Sequence, residues 1–114
     1  MKIKIYHNSR CRKSRETLGL IREAGHEPEI IEYIQNPPSE SELKELLEGM
    51  GKKPIELIRK GEEIFKSKFK GKTYSDAKWI KIMVENPKLI ERPIVVKGKK
   101  VILGRPPENV KEIL

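Results

Sequence analysis

The sequence predicts one α/β domain, and three observations support that prediction. Residues 2–34 alternate strand, helix and strand, and the middle third carries apolar residues at helical spacing. The last third returns to two short apolar strands and a final helix. A chain of 114 residues has the size of a single core. We therefore expect one domain over residues 1–114, with a helical insertion at about 38–87 between a βαβ half and a ββα half.

The first half is predicted to be a strand–helix–strand unit. Residues 2–6 alternate and are rich in Ile, which favours a strand. Residues 12–24 are predicted to be helical, with Gly25 at the position of a C-terminal cap. A second strand is expected at 29–34, so the two strands should be parallel with a right-handed crossover. The helix prediction depends on small and apolar residues at helical spacing: Ser14, Thr17, Leu18, Ile21 and Ala24.

The predicted insertion consists of helices whose starts are marked by capping or proline residues. Ser39 with Glu42 forms a capping box, and Pro54 suits the first turn of a short helix. A third helix over 62–69 precedes a fourth that begins at Ser75 and ends before Pro87. The fourth carries an apolar stripe: Trp79, Ile80, Ile82 and Met83.

The last third is predicted to be a β-hairpin followed by a short helix. Strands at 93–96 and 100–103 flank a Lys-Gly-Lys turn, and Pro106-Pro107 begins the helix. A β-α-β plus β-β-α order with a cysteine at the first helix is the thioredoxin-like arrangement. In that arrangement a cis-proline before the third strand faces the cysteine, so we expect a cis Arg92-Pro93 bond with Arg92 beside Cys11. The alternative is that Pro93 only begins an edge strand.

Composition and charge narrow the function classes. The chain has a net charge of +8, but the charges are interspersed, and residues 66–72 form the only long basic stretch. The six aromatic residues are spread along the sequence, so we expect no nucleic-acid partner. A single cysteine excludes an internal disulfide, a self-contained dithiol relay and an all-cysteine metal site. No apolar run reaches membrane-span length and the N-terminus lacks a signal peptide, so we expect a cytoplasmic protein with a reduced thiol.

Cys11 is the candidate reactive residue. It lies where the first strand enters the helix, and the free N–H groups of a helix N-terminus stabilise a thiolate. The Arg-rich context, R-C-R-K-S-R, adds positive potential. Ser14 has two interpretations: its hydroxyl donates to the sulfur, or it is a plain helix residue. His7 and Asn8 should hold the preceding loop. A small buried cysteine and a structural histidine are the alternatives at these positions.

The arginines fall into two groups. Only seven of the 25 basic residues are Arg, and four of these, Arg10, Arg12, Arg15 and Arg22, surround or follow Cys11. The other three, Arg59, Arg92 and Arg105, are isolated from one another along the sequence. Because the Arg guanidinium is a rigid fork that matches an oxyanion, this sparing use suggests specific binding positions.

Four separated motifs, HNSRCRKSRETL, LIRK, NPKLIERPIVV and GRPPE, resemble the glutaredoxin-coupled arsenate reductase family, often called the ArsC family. The resemblance implies a thioredoxin/glutaredoxin-like fold and the reduction of arsenate to arsenite. It places the nucleophile at Cys11 and three oxyanion-binding arginines at Arg59, Arg92 and Arg105. His7, Ser14 and Arg15 fall on positions that support the cysteine. Arg12-Lys13, however, is bulkier and more basic than the small pair of the best-known reductases.

The resemblance also implies the partners. With one thiol in the chain, the adduct of Cys11 with arsenate must be resolved from outside, by glutathione as co-substrate and then glutaredoxin. No bound cofactor and no metal are expected. Two alternatives share the fold: an Spx-type regulator that binds RNA polymerase, and a glutathione-dependent thiol reductase without arsenate activity. Many Spx-type regulators carry a C-x-x-C switch, whereas this chain has C-x-x-S at Cys11 and Ser14.

Overall fold

A four-stranded mixed sheet is the centre of the first part of the molecule. In this computed structural model, which describes residues 2–114, the strands are β1 (Ile3–His7), β2 (Glu29–Glu32), β3 (Ile94–Lys97) and β4 (Lys100–Leu103). Their order is β2-β1-β3-β4; β1 pairs parallel with β2 and antiparallel with β3, and β3 and β4 form the hairpin. The predicted thioredoxin-like α/β fold, with a helical insertion between its βαβ and ββα halves, is confirmed.

Helix α1 (Arg12–Glu23) connects the two parallel strands and packs its apolar face into the core of this sheet. It ends one residue before the predicted end, and Gly25 adopts a positive φ of 89° that suits glycine. The core combines residues of β1, α1, β3 and the C-terminal segment. Its buried members are Ile3, Ile5, Leu18, Ile21, Val95, Val110 and Ile113.

The insertion forms one compact unit, Pro37–Glu91 (the second unit), and residues 2–36 together with Arg92–Leu114 form the other. The insertion contains α2 (Glu40–Met50), α3 (Glu63–Lys68) and α4 (Asp76–Glu85). The predicted capping box of Ser39 with Glu42 is present, and Ser75 caps α4. The predicted apolar stripe of α4 is buried throughout. The expectation of one domain over 1–114 stays a prediction.

Several element boundaries differ from the predictions, and β3, for example, was expected at 93–96 and lies at Ile94–Lys97. The first strand runs to His7 rather than stopping at residue 6. The second ends at Glu32 because the backbone N–H groups of Gln35 and Asn36 turn back to the Glu32 carbonyl. A short 3₁₀ helix at Pro87–Leu89 was not predicted. The two short helices predicted to begin at Pro54 and at Pro106-Pro107 are 3₁₀ helices, Pro54–Leu57 and Pro107–Glu112. In residues 2–114, no helix is long and apolar enough to cross a membrane.

Candidate active site

The loop between β1 and α1 places Cys11 at the N-terminus of the helix. Cys11 is the N-cap residue in an extended conformation, and its carbonyl accepts the first helical bond from the Arg15 N–H at 3.0 Å. Its own N–H donates to the Asn8 carbonyl at 2.9 Å, and the Asn8 side-chain oxygen accepts from the Arg10 N–H at 3.0 Å. These bonds close a tight turn. The half-buried sulfur therefore lies at the positive end of the helix dipole.

The surroundings of Cys11 favour its thiolate. Partial burial alone raises the pKa of the thiol. Hydrogen bonds from the Ser14 backbone N–H and the Arg92 guanidinium, the Arg92 charge and the Lys13 backbone N–H together outweigh that effect. The net pKa of Cys11 is therefore lowered from its ordinary value. This thiol is more nucleophilic at neutral pH than an ordinary exposed cysteine.

Ser14 contacts the sulfur through its backbone and not through its hydroxyl, which corrects the interpretation that this hydroxyl donates to the sulfur. The hydroxyl oxygen lies 2.6 Å from His7 Nδ1 and accepts from the Asn8 N–H at 3.1 Å. Both His7 and Ser14 are buried, so the nearer polar partners on β1 compete successfully for this hydroxyl. Ser14 thus ties the end of β1 to the first turn of α1.

His7 is a buried histidine whose pKa is lowered from its ordinary value. Burial is the main cause, and it favours the neutral ring. The carboxylate of Glu32 raises the pKa of His7, while the charges of Arg22 and Arg15 lower it further. A neutral imidazole held on Ser14 can order the loop without adding a charge next to the thiolate.

Arg92 reaches Cys11 from the other side of the fold. The Arg92-Pro93 peptide bond is cis, as predicted, and the guanidinium donates a hydrogen bond to the sulfur. The Arg92 Nε atom is buried and has no hydrogen-bond partner among residues 2–114. Because a buried donor without a partner is costly, this N–H is a candidate donor to an oxyanion held beside Cys11.

Arg105 also points at the thiol. Its Nη1 lies 3.9 Å from the Cys11 Sγ and 3.5 Å from the Arg92 carbonyl oxygen. The Arg105-Pro106 bond is cis as well, a feature that was not predicted from the sequence. Two of the three isolated arginines therefore converge on Cys11.

Arg59 lies in the second unit and has carboxylate partners there. Its Nε is 3.5 Å from Glu91 and its Nη2 is 3.8 Å from Glu62. The backbone N–H of Arg59 donates to the Leu89 carbonyl at 2.8 Å, next to the bridge between Ile58 and Ile90. The expectation that Arg59 binds the oxyanion stays a prediction.

The arginines that neighbour Cys11 in sequence have more peripheral roles. Arg15 donates to the Ser9 carbonyl at 2.9 Å and so holds the loop. Arg12 pairs with Glu16 one turn along α1, and Arg22 pairs with Glu27. Arg10 is exposed. The basic context of R-C-R-K-S-R therefore contributes loop contacts and general potential rather than a second set of anion donors.

Gly104 and Thr17 are two positions that the sequence analysis did not connect with the site. A Cβ atom on Gly104 would lie 2.9 Å from the Thr17 side chain and 3.0 Å from Pro93. The Thr17 hydroxyl contacts both the Lys13 and the Gly104 carbonyls, at 2.9 and 3.2 Å. The absence of a side chain on Gly104 allows α1 to approach the cis-proline closely. Two sequence signals could have identified these positions: Thr17 is a polar residue on the buried face of α1, and Gly104 is the glycine of the G-R-P-P motif.

The basic segment 66–72 lies apart from these contacts in sequence and belongs to the second unit. Four lysines, Lys60, Lys66, Lys70 and Lys72, line an open depression of about 470 Å³ there. The neighbouring aromatic rings serve the core, because Phe65 and Phe69 both pack on Trp79. No stacking platform for bases is formed by these rings. Within residues 2–114, no group of three or more His, Cys, Asp and Glu side chains is arranged to hold a metal ion.

The geometry around Cys11 suits a tetrahedral oxyanion. Backbone N–H groups at a helix start and two guanidinium forks surround one thiolate, and each of these groups favours negative charge. The arrangement can therefore hold an oxyanion next to a nucleophilic sulfur.

Comparisons with known proteins identify the family and relatives that this chain resembles. Residues 6–113 match the family described as the ArsC family. The chain is 46% identical over 114 residues to a protein named uncharacterized protein YfgD from Escherichia coli K12, covering 98% of this chain and 96% of that protein. It is 41% identical to an arsenate reductase from Haemophilus influenzae over the full length of both. A solved structure titled arsenate reductase from Vibrio cholerae superposes with a TM-score of 0.95 at 45% identity, covering 100% of this chain and 98% of that one.

Proposed function

This chain belongs to the ArsC family, and from that premise we propose that it is an arsenate reductase whose nucleophile is Cys11. The convergence of Arg92 and Arg105 on the Cys11 thiolate is the observation that carries the proposal. Arsenate is a tetrahedral dianion, so it matches both the guanidinium forks and the helix N-terminus. Relatives of near-equal length that carry the name arsenate reductase support the choice of substrate.

The first chemical step joins sulfur to arsenic. The Cys11 thiolate attacks the arsenic(V) centre, an S–As bond forms, and one arsenate oxygen leaves as water after it is protonated. No electrons change hands in this step, so the arsenic stays in the +5 state. Arg92 and Arg105 hold the remaining oxygens and stabilise the charge that develops on them. Arg59 is proposed to assist in oxyanion binding.

The reduction itself needs a thiol from outside the chain, because Cys11 is the only cysteine. An external thiolate attacks the Cys11 sulfur and forms a mixed disulfide, while the electron pair of the S–As bond passes to arsenic and releases arsenite. A second external thiol exchanges with the mixed disulfide and frees Cys11. In sum, one arsenate and two thiols give one arsenite, one disulfide and one water. Glutathione followed by glutaredoxin is the proposed donor pair, in a reducing, cytoplasmic compartment.

The supporting residues prepare the thiol for attack. Ser14 and Lys13 present their backbone N–H groups to the sulfur, and His7 and Asn8 hold Ser14 in place. Arg15 fixes the loop at Ser9. Pro93 brings the Arg92 guanidinium to the same point. These residues position the thiolate and its oxyanion donors before substrate arrives.

The direct test is the formation of arsenite from arsenate with glutathione and glutaredoxin. Wild-type protein should turn over, and Cys11→Ser should lose at least about 10³-fold in kcat, because the weaker serine nucleophile has no base to activate it. Circular dichroism of Cys11→Ser is the control for folding. Wild-type protein that forms no arsenite but reduces glutathione mixed disulfides would contradict the arsenate proposal and favour a thiol reductase. If both activities are absent, capture of purified RNA polymerase tests the regulator class.

A further inference from the structure

The turn that carries Arg105 is held by side chains rather than by a regular backbone ladder. The Asn109 Nδ2 donates to the Leu103 carbonyl at 3.3 Å and to the Arg105 carbonyl at 3.1 Å. The Thr17 hydroxyl contacts the carbonyl between them, that of Gly104, at 3.2 Å. Two carbonyls of this turn therefore accept from the Asn109 amide, and the carbonyl between them faces the Thr17 hydroxyl, whose one hydrogen is shared with the Lys13 carbonyl.

Asn109 lies directly over the turn. It stands in the C-terminal 3₁₀ helix Pro107–Glu112, and its own backbone N–H donates to the Pro106 carbonyl at 3.0 Å. The side-chain amide and the backbone N–H of half-buried Asn109 therefore bind the Arg105 and Pro106 carbonyls, respectively, at the cis Arg105-Pro106 bond. On the opposite flank the Gly104 N–H donates to the Pro93 carbonyl at 2.8 Å. The Arg105 carbonyl is thus held by Asn109, and the preceding residue, Gly104, is tied to the cis-proline before β3.

Arg105 depends on this support for its aim. The guanidinium reaches the Cys11 sulfur at 3.9 Å on a long, flexible side chain. A shift of about 1 Å at the base of such a chain is enough to misplace a catalytic contact. The same Nη1 lies 3.5 Å from the Arg92 carbonyl, so a shift of the Arg105 backbone would change both contacts together.

We propose that Asn109 is a positioning residue that sets Arg105 against the Cys11 sulfur and thereby controls the preference of this site for anions. For arsenate the proposal rests on the proposed function. The anion preference of Cys11 itself is measurable without arsenate, so the two can fail separately.

The test compares the rates at which two alkylating reagents, one anionic and one neutral, react with Cys11. Iodoacetate is an anion and iodoacetamide is neutral, so the ratio of their rate constants reports the positive field at the sulfur. Asn109→Leu removes both donors and keeps a side chain that branches at Cγ, and we expect the ratio to fall about three- to fivefold as one guanidinium moves away by a few ångströms. Asn109→Ala should give the same direction and serves if the leucine variant does not fold.

Asn86 offers a matched control. Its Nδ2 donates to the Ile82 carbonyl at 2.9 Å, the same four-residue relation as Asn109 to Arg105, but in the second unit. Asn86→Leu should change the thermal midpoint without changing the alkylation ratio. The proposal is overturned if the alkylation ratio falls equally in Asn86→Leu and Asn109→Leu. It is also overturned if the ratio stays at the wild-type value in Asn109→Leu and Asn109→Ala.

A double mutant tests whether Asn109 acts through Arg105. Arg105→Gln should lower the ratio by itself, and Asn109→Leu on that background should lower it no further. Fully additive effects would show that Asn109 acts elsewhere. In the arsenate assay, Asn109→Leu should raise KM for arsenate about tenfold with a smaller fall in kcat. If wild type forms no arsenite while the alkylation ratio behaves as expected, the proposed function fails and the positioning role stands.

Discussion

Arg92 and Arg105 differ from Arg59 in what surrounds their guanidinium groups. The first two reach the Cys11 sulfur, and Arg105 also contacts the Arg92 carbonyl. Arg59 instead lies between the carboxylates of Glu62 and Glu91. The buried Arg92 Nε–H has no hydrogen-bond partner in residues 2–114 and can take up an oxyanion, whereas the Arg59 Nε and Nη2 groups face carboxylates that compete with an oxyanion for them. Similar isolation along the sequence therefore conceals different electrostatic settings.

The largest expected effect is the loss of kcat/KM in Arg92→Lys, a variant that separates the charge of the arginine from its geometry. Arg92→Lys keeps the positive charge but removes the bidentate fork, so we expect kcat/KM for arsenate to fall about 100-fold. In Arg105→Lys, kcat/KM for arsenate should fall by a similar factor. Steady-state arsenite formation measures both. A fully active Arg92→Lys would contradict the role assigned to this arginine.

The close packing near Arg105 can be tested by contrasting two glycines. Gly104→Ala places a Cβ 2.9 Å from Thr17, and we expect it to lower the free energy of unfolding by about 1–3 kcal/mol. Gly19→Ala, in α1 with no atom within 4 Å of its Cβ, should raise that free energy by about 0.5–1 kcal/mol. Urea denaturation measures both changes. Equal effects from the two alanines would show that the contact at Gly104 does not constrain the fold.

Arg59 should be the more tolerant arginine. Lysine at this position can keep an ion pair with Glu62 or Glu91, so Arg59→Lys should lose less than about tenfold in kcat/KM. Arg59→Met should lower the free energy of unfolding by about 1–2 kcal/mol because the partly buried carboxylates of Glu62 and Glu91 lose their ion pairs with Arg59. An Arg59→Lys variant as impaired as Arg92→Lys would remove the distinction between the two settings.

The smallest expected effect concerns pH and the buried His7. Because its pKa is lowered in the folded state, the unfolded chain takes up the proton first as pH falls. The stability due to neutral His7 is fully present above the unfolded pKa of about 6.5 and is lost as pH falls below it, at no more than about 1.4 kcal/mol per pH unit. His7→Gln should flatten this part of the stability profile, measured by urea denaturation at pH 5–7. His26→Gln, which leaves His7 in place, is the control, and an unchanged slope in His7→Gln would argue against its neutral burial.

Local sequence signals predicted most of the fold. The capping box at Ser39, the apolar stripe of α4 and the hairpin turn all depend on residues within a few positions of one another, and all three are present. The errors were at ends of elements. The second strand stops at Glu32 because a turn at residues 33–35 satisfies its carbonyl, and no residue type in the sequence marked that choice.

The candidate site was predictable in part. Cys11 at a helix start and the cis bond before Pro93 followed from the order of elements and the residue types. One interpretation had the Ser14 hydroxyl donating to the sulfur, but it bonds to His7 because β1 extends one residue further and brings that ring within 2.6 Å. Neighbouring sequence does not reveal which of two polar groups lies closer.

The sequence by itself determined the fold class and the position of the thiol, since each follows from residue type, periodicity or the count of one cysteine. Tertiary structure alone decided which donors the thiol receives. Arg105 contacts Cys11 although 94 positions separate them in the sequence. The Thr17 and Asn109 side chains contact the turn around Gly104 because packing brings α1 to the end of β4. Partner selection over such separations depends on distances of a few ångströms, which only the packed core sets.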